Sequence, residues 1–167
     1  MARTALTRFG PLWAVSGAPG AGKTTAHAEL LARGDGLVAM DIDELLEDSA
    51  LLGVPIAVPE AAPIWPAYGR MWRRIIDMTR RSGHPVVFLS PNIPSEFPGA
   101  TGHLLLDCDD DVRAERLRAR GWDQAQVDDA LRDARAYRPL FRASLRTDDT
   151  TPAGVADRIL DWIARSA

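Results

Sequence analysis

Eight residues near the start of the chain, Gly17-Ala18-Pro19-Gly20-Ala21-Gly22-Lys23-Thr24, have the types and spacing to hold a phosphate. They match G-x-x-x-x-G-K-[ST] at every fixed position. Glycines let successive backbone N–H groups turn inward around an anion without Cβ clashes. A helix starting at this point directs its positive dipole end at the same charge. In such a loop the lysine, Lys23, reaches the β- and γ-phosphates of a nucleotide, and the Thr24 hydroxyl can ligate Mg²⁺. With Thr25 opening the helix, residues 17–25 form the candidate ATP-binding set. Lys23 is the only lysine in the chain, and every other basic side chain is arginine. A bias toward arginine leaves a lysine only where a compact ammonium is needed.

The flanking residues can position this loop. Leu12-Trp13-Ala14-Val15 reads as a buried strand entering it, and Thr25–Arg33 reads as a helix stopped by Gly34. Further strands are expected at Leu37–Met40, Pro85–Leu89, Leu104–Leu106 and Ser144–Thr147. Helices are expected from Glu44 to Asp48 with Asp43 as N-cap, from about Ala67 to Arg81, and from Asp109 or Asp110 to Arg120. Two more run from Asp123 to about Phe141 and from Thr151-Pro152 onward, with Pro152 at the favoured first position. Residues 53–66, with Gly53 and prolines at 55, 59, 63 and 66, are expected to lack regular structure and to lie over the site. The β-α alternation implies a parallel sheet with helices on both faces.

Length and composition bound the rest. A chain of 167 residues fits one domain, and 46% hydrophobic with 26% charged residues is ordinary for a globular protein. A net charge of −3 argues against nucleic acid held by bulk electrostatics. One cysteine, Cys108, excludes a disulfide framework and reads as a small buried residue. No stretch has the roughly 18 apolar residues a membrane helix requires. Arg3 and Arg8 precede an apolar run too short for a signal peptide, so a cytoplasmic location is expected. A monomer or homodimer is expected.

From the phosphate loop to the turn Asp148-Asp149-Thr150-Thr151-Pro152, the sequence resembles the small P-loop kinases of the nucleoside-monophosphate-kinase type, including the shikimate and gluconate kinase branch. The resemblance implies a three-layer P-loop NTPase fold, α/β with a five-stranded parallel sheet, using ATP and Mg²⁺. It implies a single kinase domain over 1–167, with an acceptor-binding excursion at about 43–69 and a short lid at about 116–125. Asp41-x-Asp43 resembles the acidic pair such kinases place between metal and acceptor, beyond a strand end where open parallel sheets bind ligands. Asp43 then holds the acceptor hydroxyl and helps take its proton, and Asp41 binds waters of the metal. Arg116 and Arg120 carry the R-x-x-x-R spacing of the family's lid, with Arg116 against the adenine and Arg120 on the phosphates. Asp109, Arg113, Glu115 and Arg118 read as a solvated helix face. Arg132, Arg135 and Arg138 are candidates for a second phosphate contact.

By the same resemblance, the backbone around Asp149 and Thr150 lines the adenine. Trp65, Tyr68 and Trp72, spaced i, i+3, i+7, are a candidate aromatic wall for the acceptor, together with Arg73 and Asn92. Ser90 is a departure: many P-loop enzymes have there an aspartate that binds a water of the metal, so more of that task shifts to Asp41. The implied activity is a phosphotransferase acting on a small-molecule hydroxyl. The alternatives are a nucleoside monophosphate kinase and a regulatory nucleotide-binding ATPase. A GTPase is excluded, because N-K-x-D needs a second lysine. Between Asp41 and Gly69 there is no arginine or lysine, whereas Asp41, Asp43, Glu44, Glu47, Asp48 and Glu60 are present. Such a segment disfavours an acceptor phosphate, which needs cationic partners when buried. A neutral or cationic acceptor, nucleoside-like, sugar-like or an antibiotic, is therefore expected.

Overall fold

The protein is described here from a computed structural model covering residues 9–33, 36–56 and 58–166. Arg3, Arg8 and Gly34, used in the sequence reading, lie outside these residues. In chain order, β1 (Leu12–Ser16) leads through the phosphate loop into α1 (Lys23–Arg33), and β2 (Val38–Asp41) follows. A hairpin of β3 (Ala50–Leu51) and β4 (Val54–Pro55) precedes α2 (Trp65–Arg81) and β5 (Val86–Ser90). Then come β6 (Gly102–Asp107), α3 (Asp110–Ala119), α4 (Gln124–Tyr137), β7 (Ser144–Arg146) and α5 (Pro152–Ser166).

Five of the strands form one sheet in the order β2-β5-β1-β6-β7, all parallel. The central strands are apolar on both faces, as a parallel sheet covered on both sides demands. On one face Trp13, Val15, Val87, Leu89, Leu104 and Leu106 meet Ala26 and Leu30 of α1 and Val155, Ala156, Ile159 and Ile163 of α5. On the other, Leu12, Met40, Val86 and Phe88 meet Tyr68, Trp72 and Ile76 of α2. α3 and α4 pack on each other around Leu117, Val127 and Ala130. No described helix is long and apolar enough to cross a membrane.

The segment after β2 differs from expectation. No helix spans Glu44–Asp48; a single 3₁₀ turn, Ile42–Leu45, takes its place. Its N-cap is Asp41, not Asp43: Asp41 Oδ1 accepts the Asp43 N–H at 3.0 Å, and Glu44 Oε2 accepts the Asp41 N–H at 2.9 Å. That reciprocal pair is a capping box, and its cap lies two residues before the one the sequence reading chose. Residues 53–66 are more regular than their prolines suggested. Asp48-Ser49 and Leu52-Gly53 form two consecutive tight turns with positive φ at all four residues, and the second closes the β3–β4 hairpin. Residues Pro59–Ile64 form a 3₁₀ helix that runs into α2, with Pro59 and Pro66 at early helix positions where no N–H is needed and Pro63 inside the 3₁₀ helix.

The aromatic spacing on α2 builds core. Tyr68 and Trp72 are 7% and 3% exposed, and Trp72 packs edge-on to Tyr68 at 6.4 Å and against Phe88 at 5.3 Å between ring centroids. The Tyr68 hydroxyl donates to the Ile42 carbonyl, tying α2 to the turn that carries Asp43. Trp72 is therefore no part of an open acceptor wall. Replacing Trp72 with alanine is expected to cost about 3–5 kcal/mol of stability, the range for large aromatic-to-alanine changes in a core. Equilibrium denaturation in urea checks it; a loss below about 1 kcal/mol would mean the ring is not packed as described.

Candidate functional site

The loop between β1 and α1 reverses direction with Gly20 at φ +79° and Gly22 at φ +90°, conformations that side-chain-bearing residues rarely adopt. The loop follows the carboxyl end of β1, the end of the sheet where open α/β folds bind ligands. Lys23 is half-buried, and its Nζ donates to the Gly17 carbonyl at 2.5 Å across the loop. Desolvation lowers its pKa to about 8; Asp41 and then Asp43 oppose that shift, and Arg113 and Arg120 reinforce it. The ammonium thus stands in the field of two carboxylates and two guanidinium groups.

Asp41 is buried at the end of β2, and Asp43 projects from the turn beyond it. Among the described residues no hydrogen bond engages the Asp43 carboxylate. Its pKa is raised, first by desolvation and then by Asp41, with Lys23 pulling the other way. The turn is braced from α1: His27 is buried with Nε2 3.6 Å from Glu44 Oε1, and Glu44 in turn holds the Asp41 N–H. Thr24 is exposed at the mouth of the loop. Ser90 is buried beside Ser16 in the β1–β5 register, its Oγ accepting the Asn92 N–H at 3.2 Å. The hydroxyl and carboxylate oxygens of Thr24, Asp41 and Ser90 are the hard donors that suit Mg²⁺, which keeps waters and phosphate oxygens as its other ligands. Among the described residues no cluster of three or more His, Cys, Asp or Glu could hold a metal on its own.

The arginines are arranged differently from the sequence reading. Arg113, read there as part of a solvated face, is 1% exposed and the largest fully buried side chain among the described residues. It donates to the Pro19 carbonyl at 2.7 Å and the Ala18 carbonyl at 3.3 Å, and its other arm pairs with Asp107 at 2.6 Å. Arg116, one turn further along α3, donates to the Gly20 carbonyl at 3.2 Å and to the Thr147 hydroxyl and carbonyl at 3.1 and 3.0 Å. Arg116, read as a lid residue against the adenine, lies beside the loop with its N–H groups joining the loop to the turn after β7. Arg120 is exposed at the end of α3, close enough to influence Lys23. Most of the span 116–125 belongs to α3 and α4, leaving Arg120–Asp123 as the connection between them.

Of the three further candidates, Arg132 pairs with Asp129 on the surface and Arg135 with Asp110. Arg138 bridges Asp107 and Asp110. All three are held by carboxylates of α3, α4 or the end of β6. Asp149 is exposed and pairs with Arg158, and Thr150 is half-buried in the turn entering α5. The residue of that turn closest to the loop is Thr147, which the sequence reading missed: a Cβ on Gly22 would lie 3.6 Å from its Oγ1. Trp65 is half exposed, with its indole N–H on the Ile56 carbonyl at 2.7 Å. Arg73 lies over the Phe97 ring, 5.6 Å from its centroid, in a separate cleft with Leu12 and Asp77. Leu12 begins β1, at the end opposite the phosphate loop, so Arg73 is turned away from the acceptor side.

Residues 14–138 match the family model described as AAA domain. No curated protein matches the sequence. Among solved structures, the chain resembles the tunicamycin resistance protein of Deinococcus radiodurans, with 22% identity, TM-score 0.64, and 92% of this chain and 95% of that one covered. It resembles a sugar kinase from a Janibacter species at 19% identity and TM-score 0.63, covering 93% and 95%. It also resembles shikimate kinase from Acinetobacter baumannii at 18% identity and TM-score 0.65, covering 95% of each. At these identities the likeness establishes the fold.

The lowered Lys23 pKa has a testable sign. A polyphosphate beside the ammonium favours its charged form and raises the pKa again. At pH 8, where Lys23 is partly deprotonated in the free protein, ATP binding is expected to take up protons, and affinity is expected to fall as pH rises above that value. Calorimetric titration with ATP in buffers of different ionisation enthalpy measures the uptake. Equal heats across buffers at pH 8 would contradict it.

Proposed function

The chain belongs to the AAA-domain family and has the fold of small P-loop kinases, and from that premise we propose that it is an ATP-dependent kinase phosphorylating a hydroxyl of a small molecule. The observation that supports the reading is the arrangement at the carboxyl end of the sheet, where Lys23 of the phosphate loop lies within electrostatic reach of Asp41 and of the unengaged Asp43 carboxylate. Phosphoryl transfer needs positioning and charge neutralisation more than covalent chemistry. Lys23 neutralises charge on the β- and γ-phosphates, and Arg120 is the exposed guanidinium available to the transferred group. Asp43 orients the acceptor hydroxyl and accepts its proton, for which a raised pKa makes it the stronger base. Thr24 and Asp41, with Ser90 behind them, would hold Mg²⁺, which supplies further neutralisation of the phosphates when bound.

The acceptor side is acidic. Asp43, Glu44, Glu47, Asp48 and Glu60 are exposed along it, and Arg73, the basic candidate from α2, is drawn to Phe97 instead. An acceptor carrying a phosphate would be repelled, which favours a neutral or cationic acceptor, nucleoside-like, sugar-like or antibiotic-like, over a nucleoside monophosphate. That the fold is shared with proteins named a sugar kinase, a shikimate kinase and a tunicamycin resistance protein supports a hydroxyl-bearing acceptor.

A coupled assay of ADP release should respond to one of a panel of nucleosides, amino sugars, gluconate and shikimate, while AMP, CMP, UMP and GMP stay inert. Turnover of a monophosphate with its nucleoside inactive would overturn the acceptor class. ADP release independent of any acceptor would favour a regulatory ATPase. With the acceptor in hand, Asp43→Asn is expected to lower kcat by about 30- to 1,000-fold while leaving KM for ATP within about threefold, as for a group acting in the transition state. A change confined to thermal stability would remove Asp43 from the chemistry.

A further inference from the structure

A backbone loop that points its N–H groups at an anion must point its carbonyls elsewhere. In this loop those carbonyls turn back into the protein, where each needs a donor. The structure supplies them with cations. Gly17 O takes Lys23 Nζ, Ala18 O and Pro19 O take Arg113, and Gly20 O takes Arg116. Arg113 is central in this set. It lies behind the loop with its side chain wholly buried, and its Cγ would stand 3.1 Å from a Cβ placed on Gly20. Its Nε has no hydrogen-bond partner, so the residue is not there to satisfy its own donors. Burying an arginine is costly unless its charge is matched, and Asp107 matches it at 2.6 Å. Asp107 is itself fixed by Arg138 at 2.7 Å, and Arg138 also reaches Asp110. Two ionic links, Arg138–Asp107 and Asp107–Arg113, thus run from the residue after α4 through the end of β6, and the Arg113 hydrogen bonds carry them to the back of the loop.

We propose that Arg113 is a positioning residue for the phosphate loop. By gripping the Pro19 carbonyl from behind, it holds the Gly20 N–H of the same peptide unit turned toward the anion before any nucleotide arrives. Its second contact, on the Ala18 carbonyl, fixes the peptide ahead of the proline, which has no N–H of its own. It touches neither substrate nor the reacting atoms. A guanidinium is required because the task is forked: one arm spans two adjacent carbonyls while the other meets a carboxylate. A lysine can supply the charge but not the two-sided geometry. This proposal rests on the phosphate-loop reading and is independent of which acceptor the protein uses.

The probe is inorganic tripolyphosphate, which engages the loop without adenine or acceptor contacts, titrated against wild type, Arg113→Lys and Arg113→Met. Adenosine serves as a control ligand. In variants that still unfold cooperatively, Arg113→Met is expected to weaken tripolyphosphate and ATP by at least about tenfold while leaving adenosine unchanged. Arg113→Lys should recover only part of the loss. A purely structural arginine would lower the unfolding midpoint without separating phosphate-bearing from phosphate-free ligands. If Arg113→Met does not fold, Asp107→Asn, which loosens the guanidinium without removing it, should show the same selective loss to a smaller degree. Tripolyphosphate affinity equal to wild type in a folded variant overturns the proposal alone. Absence of tripolyphosphate binding by wild type overturns the phosphate-loop reading together with it.

Discussion

The site depends on one constraint: a peptide unit cannot direct its N–H toward a ligand without directing its C=O away. The four consecutive carbonyls Gly17 to Gly20 all accept from positively charged side chains: Gly17 from Lys23 across the loop, Ala18 and Pro19 from the buried Arg113 behind it, and Gly20 from Arg116. Charge-assisted hydrogen bonds are shorter and stronger than neutral ones, so this backing stiffens the loop more than backbone pairing would. It also adds positive potential beneath the anion site without exposing it to solvent. The rest of the fold serves this arrangement. α3 presents Arg113 and Arg116 one turn apart, β6 ends in the carboxylate that anchors the first, and the threonine that anchors the second directly follows β7.

The crevice has two electrical halves. Lys23, Arg116 and Arg120 stand around the phosphate loop, and Asp41, Asp43, Glu44, Glu47 and Asp48 lie at and beyond the end of β2. Lys23 lies where they meet, its proton loosened by desolvation and retained by the two aspartates. Asp43 experiences the converse, with desolvation and Asp41 favouring its proton and Lys23 disfavouring it. The capping box at Asp41 and Glu44 makes this possible. By spending Asp41 and Glu44 on backbone N–H groups, the turn leaves Asp43 unengaged and pointing outward.

The strand–loop–helix unit was legible in the sequence because its motif and its hydrophobic run agree at every level, and the five-stranded parallel sheet followed from the β-α alternation. The acidic turn was legible in its residues but not its cap, since Asp41 and Asp43 are equally good capping types and only the chain direction after β2 selects between them. The hairpin at 50–55 was missed because its turns, Asp48-Ser49 and Leu52-Gly53, lack the Asn-Gly or Asp-Gly signal, and prolines nearby argued for irregularity. Tyr68 and Trp72 could not be told from a ligand wall by spacing alone, because helical periodicity reports a shared face without saying what that face meets. Arg113 was the largest loss. Nothing in a run of alternating charges distinguishes a buried arginine from its solvated neighbours, since Asp107 is one of several nearby carboxylates and the carbonyls the arginine backs come from the loop almost a hundred residues earlier. Its one local signal was the i, i+3 spacing with Arg116, which placed both on the same stripe of α3.

The isolation of Lys23 has a consequence in reactivity. An amine with its pKa near 8 is a substantial fraction free base in mildly alkaline buffer, whereas an ordinary lysine is almost entirely protonated there. Since the sequence holds no second lysine, the protein carries a single side-chain amine for acylating reagents, and that nucleophile lies at the centre of the phosphate site. Apart from the α-amine of the chain's first residue, whose ordinary pKa lies in the same range, modification by an amine-selective reagent is thereby confined to one side-chain position. An occupied loop shields and reprotonates that position, so the extent of labelling becomes a direct measure of how much of the protein has anion bound.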